Sequence, residues 1–375
     1  MFVSLTEEQR LLIESLERFR QQDYTFEKRR AHLKKLGAAD DPAWSMLTEM
    51  GWLAATLPEE HGGLGGKGVD LGILMEQFGR ALLTSAFVPS VVLGATALRA
   101  GGSSEQQAAY LPALAEGREK LALAYLENTG QHDPARVETR ATRDGANYVI
   151  EGRKVAVLFG HLADHLLVSA RTAQDLSLFL VPRTAAGIAI ESYRLHDDGW
   201  AADIGFRNVR VPAGNIIGDD GKGLPILEAA LDAGIAALCA EAVGIMWVMH
   251  DMTLDYIKVR KQFGATLGSF QALQHRMVNM YMKCQLAQSI AMAAIAALDS
   301  SDAIARGRAV SAAKAQIGRA ARHVGEDAIQ LHGGIAMTDE YAVGHYFKRL
   351  TMIRLTFGDE EFHLRRYRAL GESTR

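Results

Sequence analysis

Three short stretches in the C-terminal half carry residue types that hold anions or let a ligand approach the backbone. Arg260-Lys261-Gln262-Phe263-Gly264 closes a helical pattern and sets a cation and an amide beside an aromatic ring. A guanidinium is a planar fork of donors, a shape suited to a pyrophosphate. Gly268-Ser269-Phe270-Gln271 opens the next helical pattern, where backbone N–H groups without helical partners favour an anion. Gln330-Leu331-His332-Gly333-Gly334-Ile335 places an amide one turn before a glycine pair, where backbone can come close to a ligand. Taken singly, each glycine reads as a helix C-cap and the arginine as a solvated cation.

Other motifs fail on context. Gly63-Leu64-Gly65-Gly66-Lys67-Gly68 spells G-x-G-x-x-G, but Pro58-Glu59-Glu60-His61 stands before it where a dinucleotide fingerprint needs a hydrophobic strand. It reads as a tight, glycine-dependent surface loop. A P-loop is excluded, because position 61 is His61 and no Ser or Thr follows Lys67. The 12 histidines include no H-E-x-x-H or comparable spacing, so no metal is expected. No G-x-S-x-G elbow marks a serine hydrolase.

The elements that must position these residues follow from proline placement and periodicity. No proline occurs after Pro225, and a proline inside a helix costs about 3 kcal/mol. In 236–258, Leu238, Ala242, Ile245, Val248 and Met249 recur at three- and four-residue spacing. The segments 270–298, 303–331 and 340–356 follow the same rule, which predicts a C-terminal bundle of about four long helices. The first 115 residues also read as helical. Thr6 with Gln9 has the form of a capping box ahead of Leu12, Leu16 and Phe19, and further helices are expected near 43–51, 71–83 and 104–115. Between the two blocks the texture changes to short β-rich runs at 148–152, 166–170, 178–181 and 206–211, the first introduced by Asp144-Gly145. The expected fold is α+β and mostly α: an N-terminal helical domain (1–115), a small antiparallel β-domain (116–222) and a C-terminal helical bundle (223–375).

Composition limits the function. Apolar residues make up 48% and charged residues 23% of the 375 residues, which excludes wholesale disorder. A formal net charge of −3 gives no basic field for nucleic acid. Only Cys239 and Cys284 occur, too few for a disulfide scaffold or a four-cysteine zinc site, and this fits a reducing cytoplasm. The amphipathic start has no basic region before an apolar block, and no uninterrupted run of about 18 apolar residues predicts a membrane span.

In this order and on this architecture, the motifs resemble the acyl-CoA dehydrogenase family over essentially the whole chain. The resemblance runs from Leu5-Thr6-Glu7-Glu8-Gln9 through Pro58–Gly65, Gly218-Asp219-Asp220-Gly221-Lys222-Gly223, Arg260–Gly264, Ser269–His275 and Gln330–Gly334 to Phe357-Gly358-Asp359 and Arg365. Within the family the chain is similar to the small subunits of pimeloyl-CoA dehydrogenase and to related subunits of steroid side-chain degradation. The resemblance implies an FAD-dependent enzyme that removes hydrogen from Cα and Cβ of an acyl-CoA thioester. It implies that Arg260, Gln262, Phe263, Gln271, Gln330, Gly333 and Gly334 serve the FAD of a neighbouring subunit.

Departures from the family pattern are directional. The position of the family's usual catalytic glutamate is Gly358, and an alternative base position falls at Gly234-Ile235. Glutamates and aspartates stand nearby, with Glu241 and Asp359 the candidate replacements. In the β region, Ala156 and Leu158 replace a tryptophan and a threonine that face the flavin in relatives. Groups that hold a neighbour's FAD are kept, and groups that serve the chain's own flavin and substrate are lost. The resemblance therefore implies a non-basic subunit that completes the FAD site of a homologous, larger partner in a heterotetramer. The alternatives are a homo-oligomeric dehydrogenase with a relocated base, a flavin-dependent oxidase or monooxygenase, and a non-catalytic scaffold on the same fold. An electron-transfer flavoprotein is the expected redox partner.

Overall fold

A computed structural model describes residues 5–36, 41–130 and 132–372. Six helices come first: α1 (Glu7–Arg18), α2 (Phe26–Lys35), α3 (Pro42–Glu49), α4 (Gly68–Ala81), α5 (Ala95–Gly101) and α6 (Ser104–Ala115). Eight strands follow: β1 (Leu121–Ala124), β2 (Arg140–Asp144), β3 (Asn147–Leu158), β4 (His165–Arg171), β5 (Leu176–Pro182), β6 (Ile188–Arg194), β7 (Trp200–Pro212) and β8 (Ile216–Ile217). The chain then enters α7 (Gly223–Val259), a two-strand hairpin of β9 (Lys261–Gln262) and β10 (Ala265–Thr266), α8 (Gln271–Ala297), α9 (Ala303–His332), α10 (Ala342–Leu355) and α11 (Glu360–Glu372). Contacts group the chain into two compact units. One holds residues 1–30, 68–83 and 235–375, the other residues 31–67 and 84–234.

In the first unit, the capping box of α1 forms as its sequence predicts. Thr6 Oγ1 accepts from Gln9 N at 3.2 Å and Gln9 Oε1 accepts from Thr6 N at 3.1 Å. Gln9 Nε2 then donates to Asp70 Oδ1 at 3.0 Å, which ties α1 to α4. Helix α4 crosses α7 at backbone distance. A Cβ at Gly79 would lie 2.1 Å from the Glu241 carbonyl oxygen, and one at Gly244 would lie 2.0 Å from that of Glu76. Only glycine permits so close a crossing. Helix α7 is long and apolar enough to cross a membrane, yet 94% of its most apolar window is buried, as in a core helix. It begins 13 residues before the periodic stretch. Pro225 lies in its first turn, where a missing N–H costs nothing.

The second unit is built on a sheet in the order β6-β7-β3-β2-β4-β5-β8. Most pairs are antiparallel, including the β2–β3 hairpin, whose two-residue loop starts at Gly145 with φ +62°. The domain is mainly antiparallel as expected, and parallel pairing enters at β4. Strand β1 pairs with β4 in parallel from Leu121↔His165 to Ala124↔Val168, and β2 meets β4 in parallel at Arg140↔Arg171. The 40 residues between β1 and β4 supply the long crossover that a parallel pair needs. Alternate residues bury one face in a core that includes Tyr148, Ile150, Leu166, Val168, Phe179, Val181, Ile204 and Phe206.

Candidate functional site

The anion-holding stretches converge at one end of the helical unit. Arg260 N still donates to Tyr256 O at 2.9 Å, and the chain then turns in a hairpin with Ala265 opposite Gln262 and Thr266 opposite Lys261. Its two central residues, Phe263 (φ +53°) and Gly264 (φ +79°), are both left-handed, as a type I′ turn requires. Glycine takes that conformation freely; phenylalanine is strained there. The Phe263 ring is nonetheless 91% exposed, with Phe270 edge-on to it at 6.4 Å. The ring therefore does little packing within the described chain.

Leu267 N returns to Arg260 O at 2.8 Å, so the hairpin delivers the chain to α8 beside the end of α7. Helix α8 starts at Gln271 with no side chain capping its first N–H groups. Arg260 is exposed, and no carboxylate among the described residues pairs with it. Gln262 donates its amide to the Lys261 carbonyl at 2.7 Å. The end of α9 joins the group through a contact that the sequence reading missed. His332 stacks at a tilt on Tyr256 with centroids 4.6 Å apart, and Tyr341 is tilted against it at 5.2 Å. Tyr256 sits one turn before Arg260, and His332 directly precedes Gly333; that adjacency was the available signal. Gln330, Gly333 and Gly334 are exposed, and a Cβ at either glycine would meet nothing within 4 Å. Exposed at this end of the unit, these residues offer a cation, amides and N–H groups without a side-chain cap.

The base positions look different. Gly234 is buried inside α7. Gly358 follows α10 in a tightly held loop. Buried Lys314 donates to the carbonyls of Arg354 (3.2 Å), Thr356 (2.8 Å) and Gly358 (2.6 Å). Burial pushes its ammonium down to about 8, since water is replaced only in part. Of the two nearby carboxylates, Glu241 is 2% exposed and forms a two-point ion pair. Arg349 Nε reaches its Oε1 at 2.6 Å, and Arg349 Nη2 reaches its Oε2 at 2.7 Å. Asp359 caps α11, with Oδ1 accepting from Phe362 N at 2.8 Å. Both carboxylates therefore have structural tasks. Among the described residues, no group of three His, Cys, Asp or Glu side chains is placed to hold a metal.

In the sheet unit, Ala156, one of the two positions implied to face a flavin, lies on a β-bulge of β3 between Lys154 and Val157, and the other, Leu158, is paired with Ala201 just beyond it. Ala156 is left-handed at φ +51°, and its N–H donates to Asp203 Oδ1 at 3.1 Å. Asp203 also receives Tyr193 Oη at 3.0 Å and Arg153 Nη2 at 3.1 Å. Beneath the bulge, Lys154 is wholly buried and pairs with Glu127 at 2.6 Å and Ser169 Oγ at 2.9 Å. The fit to FAD is therefore divided. The exposed end of the helical unit has the donors that a pyrophosphate and ribose need. Ala156 and Leu158 carry no hydrogen-bonding side chain for an isoalloxazine edge, and the Ala156 N–H is already used.

Comparison with known proteins agrees along the whole length. Family models for the N-terminal, middle and C-terminal domains of acyl-CoA dehydrogenase match residues 6–118, 122–209 and 221–369. Probable acyl-CoA dehydrogenase YngJ of Bacillus subtilis (strain 168) is 29% identical over 372 residues, covering 96% of this chain and 97% of its own. Probable acyl-CoA dehydrogenase FadE25 of Mycobacterium tuberculosis (strain ATCC 25618 / H37Rv) is 30% identical, covering 84% and 83%. Among solved structures, a variant of the Tcur3481–Tcur3483 steroid ACAD superposes with a TM-score of 0.88 at 27% identity, covering 98% of both chains. With the helical, β and helical domains matched in that order, this chain belongs to the acyl-CoA dehydrogenase family.

Proposed function

We propose that this chain is the base-free subunit of a heteromeric, FAD-dependent acyl-CoA dehydrogenase, similar to the small subunits of pimeloyl-CoA and steroid acyl-CoA enzymes. The observation that carries the reading is the contrast between its two ends of chemistry. An outward, strained Phe263 stands with an Arg260 that no described carboxylate pairs, while glycine occupies both base positions. When bound, FAD supplies the hydride acceptor for α,β-dehydrogenation of an acyl-CoA thioester. Arg260 would hold the pyrophosphate through paired N–H donors, and the first turn of α8 would add backbone N–H groups from Gln271 onward. Gln262 and Gln330 would hydrogen-bond the adenosine portion, Phe263 would pack against it, and Gly333-Gly334 would let backbone approach. The α-proton would leave to a carboxylate of the partner subunit.

The related steroid ACAD is named for a pair of chains, which supports a two-chain arrangement here. An electron-transfer flavoprotein is the expected acceptor of electrons from the assembly. The homo-oligomeric reading needs Glu241 or Asp359 as base, and the ion pair of one and the capping bond of the other argue against both. Affinity purification of the chain at native expression levels tests the proposal. Recovery of a homologous, glutamate-bearing acyl-CoA dehydrogenase chain in equal amount is expected, and recovery of this chain only with itself would refute it.

A further inference from the structure

We propose that position 358 is occluded and not merely stripped: the ring of Phe362 occupies the space that a side chain there would need. The backbone passes through Gly358 at φ +111°, a region that L side chains rarely adopt. A Cβ built on Gly358 would stand 2.4 Å from Phe362 Cδ1, 3.0 Å from His363 Nε2 and 3.1 Å from Phe362 Cε1. Carbon atoms in favourable contact sit about 3.5–4.0 Å apart, so the first distance is a hard overlap.

His363 and the backbone of Phe362 have little freedom to yield. His363 is fully buried, with Nε2 at 3.1 Å from Phe357 O and Nδ1 at 3.4 Å from Ser311 Oγ. Its ring lies edge-on to Phe362 at 5.1 Å. The Phe362 backbone is fixed in the first turn of α11 by its bond to Asp359. From the other side, Lys314 holds the carbonyls of Thr356 and Gly358, and Phe357 is itself left-handed at φ +61°. Two consecutive residues in unusual conformations are thus clamped by a buried cation and a buried imidazole. Packing around the loop, and not one residue type, keeps a carboxylate from being presented there. The functional consequence, that an acid restored at 358 would not make the chain self-sufficient, rests on its reading as a base-free subunit.

Thermal unfolding of the full chain tests the occlusion directly, using wild type, Gly358→Ala, Phe362→Ala and the double variant. Gly358→Ala is expected to lower Tm by about 5 °C. In the Phe362→Ala background the same change should cost at least about 2 °C less, because the two sites are coupled. Equal losses in both backgrounds, or no loss from Gly358→Ala, would overturn the proposal. The unfolding experiment needs neither flavin nor partner, so its failure is distinguishable from failure of the heteromeric reading.

Discussion

Glu241→Gln distinguishes a carboxylate that supports the fold from one that takes a proton. The side chain of Glu241 is 3% exposed and that of Arg349 is 25% exposed, and two short bonds join them. Removing one member of a buried ion pair costs about 3–5 kcal/mol. Two features reduce that figure here. The amide oxygen of glutamine still accepts one bond, and the partly exposed guanidinium keeps some water. The expected loss is therefore about 2–3 kcal/mol, near the worth of one charge-assisted hydrogen bond. It should appear in urea titration as a lower midpoint with an unchanged slope. A double-mutant cycle with Arg349→Leu should return a coupling of about 2 kcal/mol. Below its unfolding range, the variant assembled with its partner should keep its turnover within a few-fold. Unchanged stability together with abolished turnover would refute the structural assignment and make Glu241 the base.

Three further outcomes follow from other sites. Phe263→Ala removes a ring that is 91% exposed, so stability should change by less than about 0.5 kcal/mol; FAD retention by the assembled enzyme should fall, and unaltered retention would count against the tip's role. Burial opposes ionisation of Glu127, but the Lys154 charge, with donors from Lys154, Thr139 and the Glu138 N–H, outweighs it and holds the carboxyl below the usual glutamate range. A group whose folded value is depressed stabilises above its unfolded value of about 4.3 and loses that effect as pH falls through the folded value. The stability gap between wild type and Glu127→Gln should therefore be full at pH 7 and narrow below about pH 4; a gap that stays constant on acidification would contradict the pairing. Burial pushes the thiols of Cys239 and Cys284 up to about 12, so an aromatic disulfide reagent at pH 8 should find neither in the native chain and both after denaturation.

Much of the fold was legible because its signals are local. The Thr6–Gln9 box, the period of 303–331 and the Asp144-Gly145 turn each lie within a few residues, and α1, α9 and the β2–β3 hairpin follow them. Helix α11 was not read. Its sequence EEFHLRRYRALGE is rich in charge, and its place is set by Asp359 capping and by His363 buried among distant residues. Strand β1 was missed because LALA suits helix and strand alike, and pairing with β4 decides it. The residues of the proposed FAD-holding surface could be named from resemblance, but the strain at Phe263 and the Tyr256–His332 contact are three-dimensional facts. The same holds at Gly358. Sequence shows only a missing carboxylate; the structure puts Phe362 in the space that a side chain there would need.

Quantifying flavin per polypeptide puts the account at greatest risk. The chain isolated alone should carry almost no FAD, and the complex with its homologous partner should carry one per pair, lost again on Arg260→Ala. A yellow, fully loaded and catalytically competent preparation of this polypeptide by itself would contradict the account.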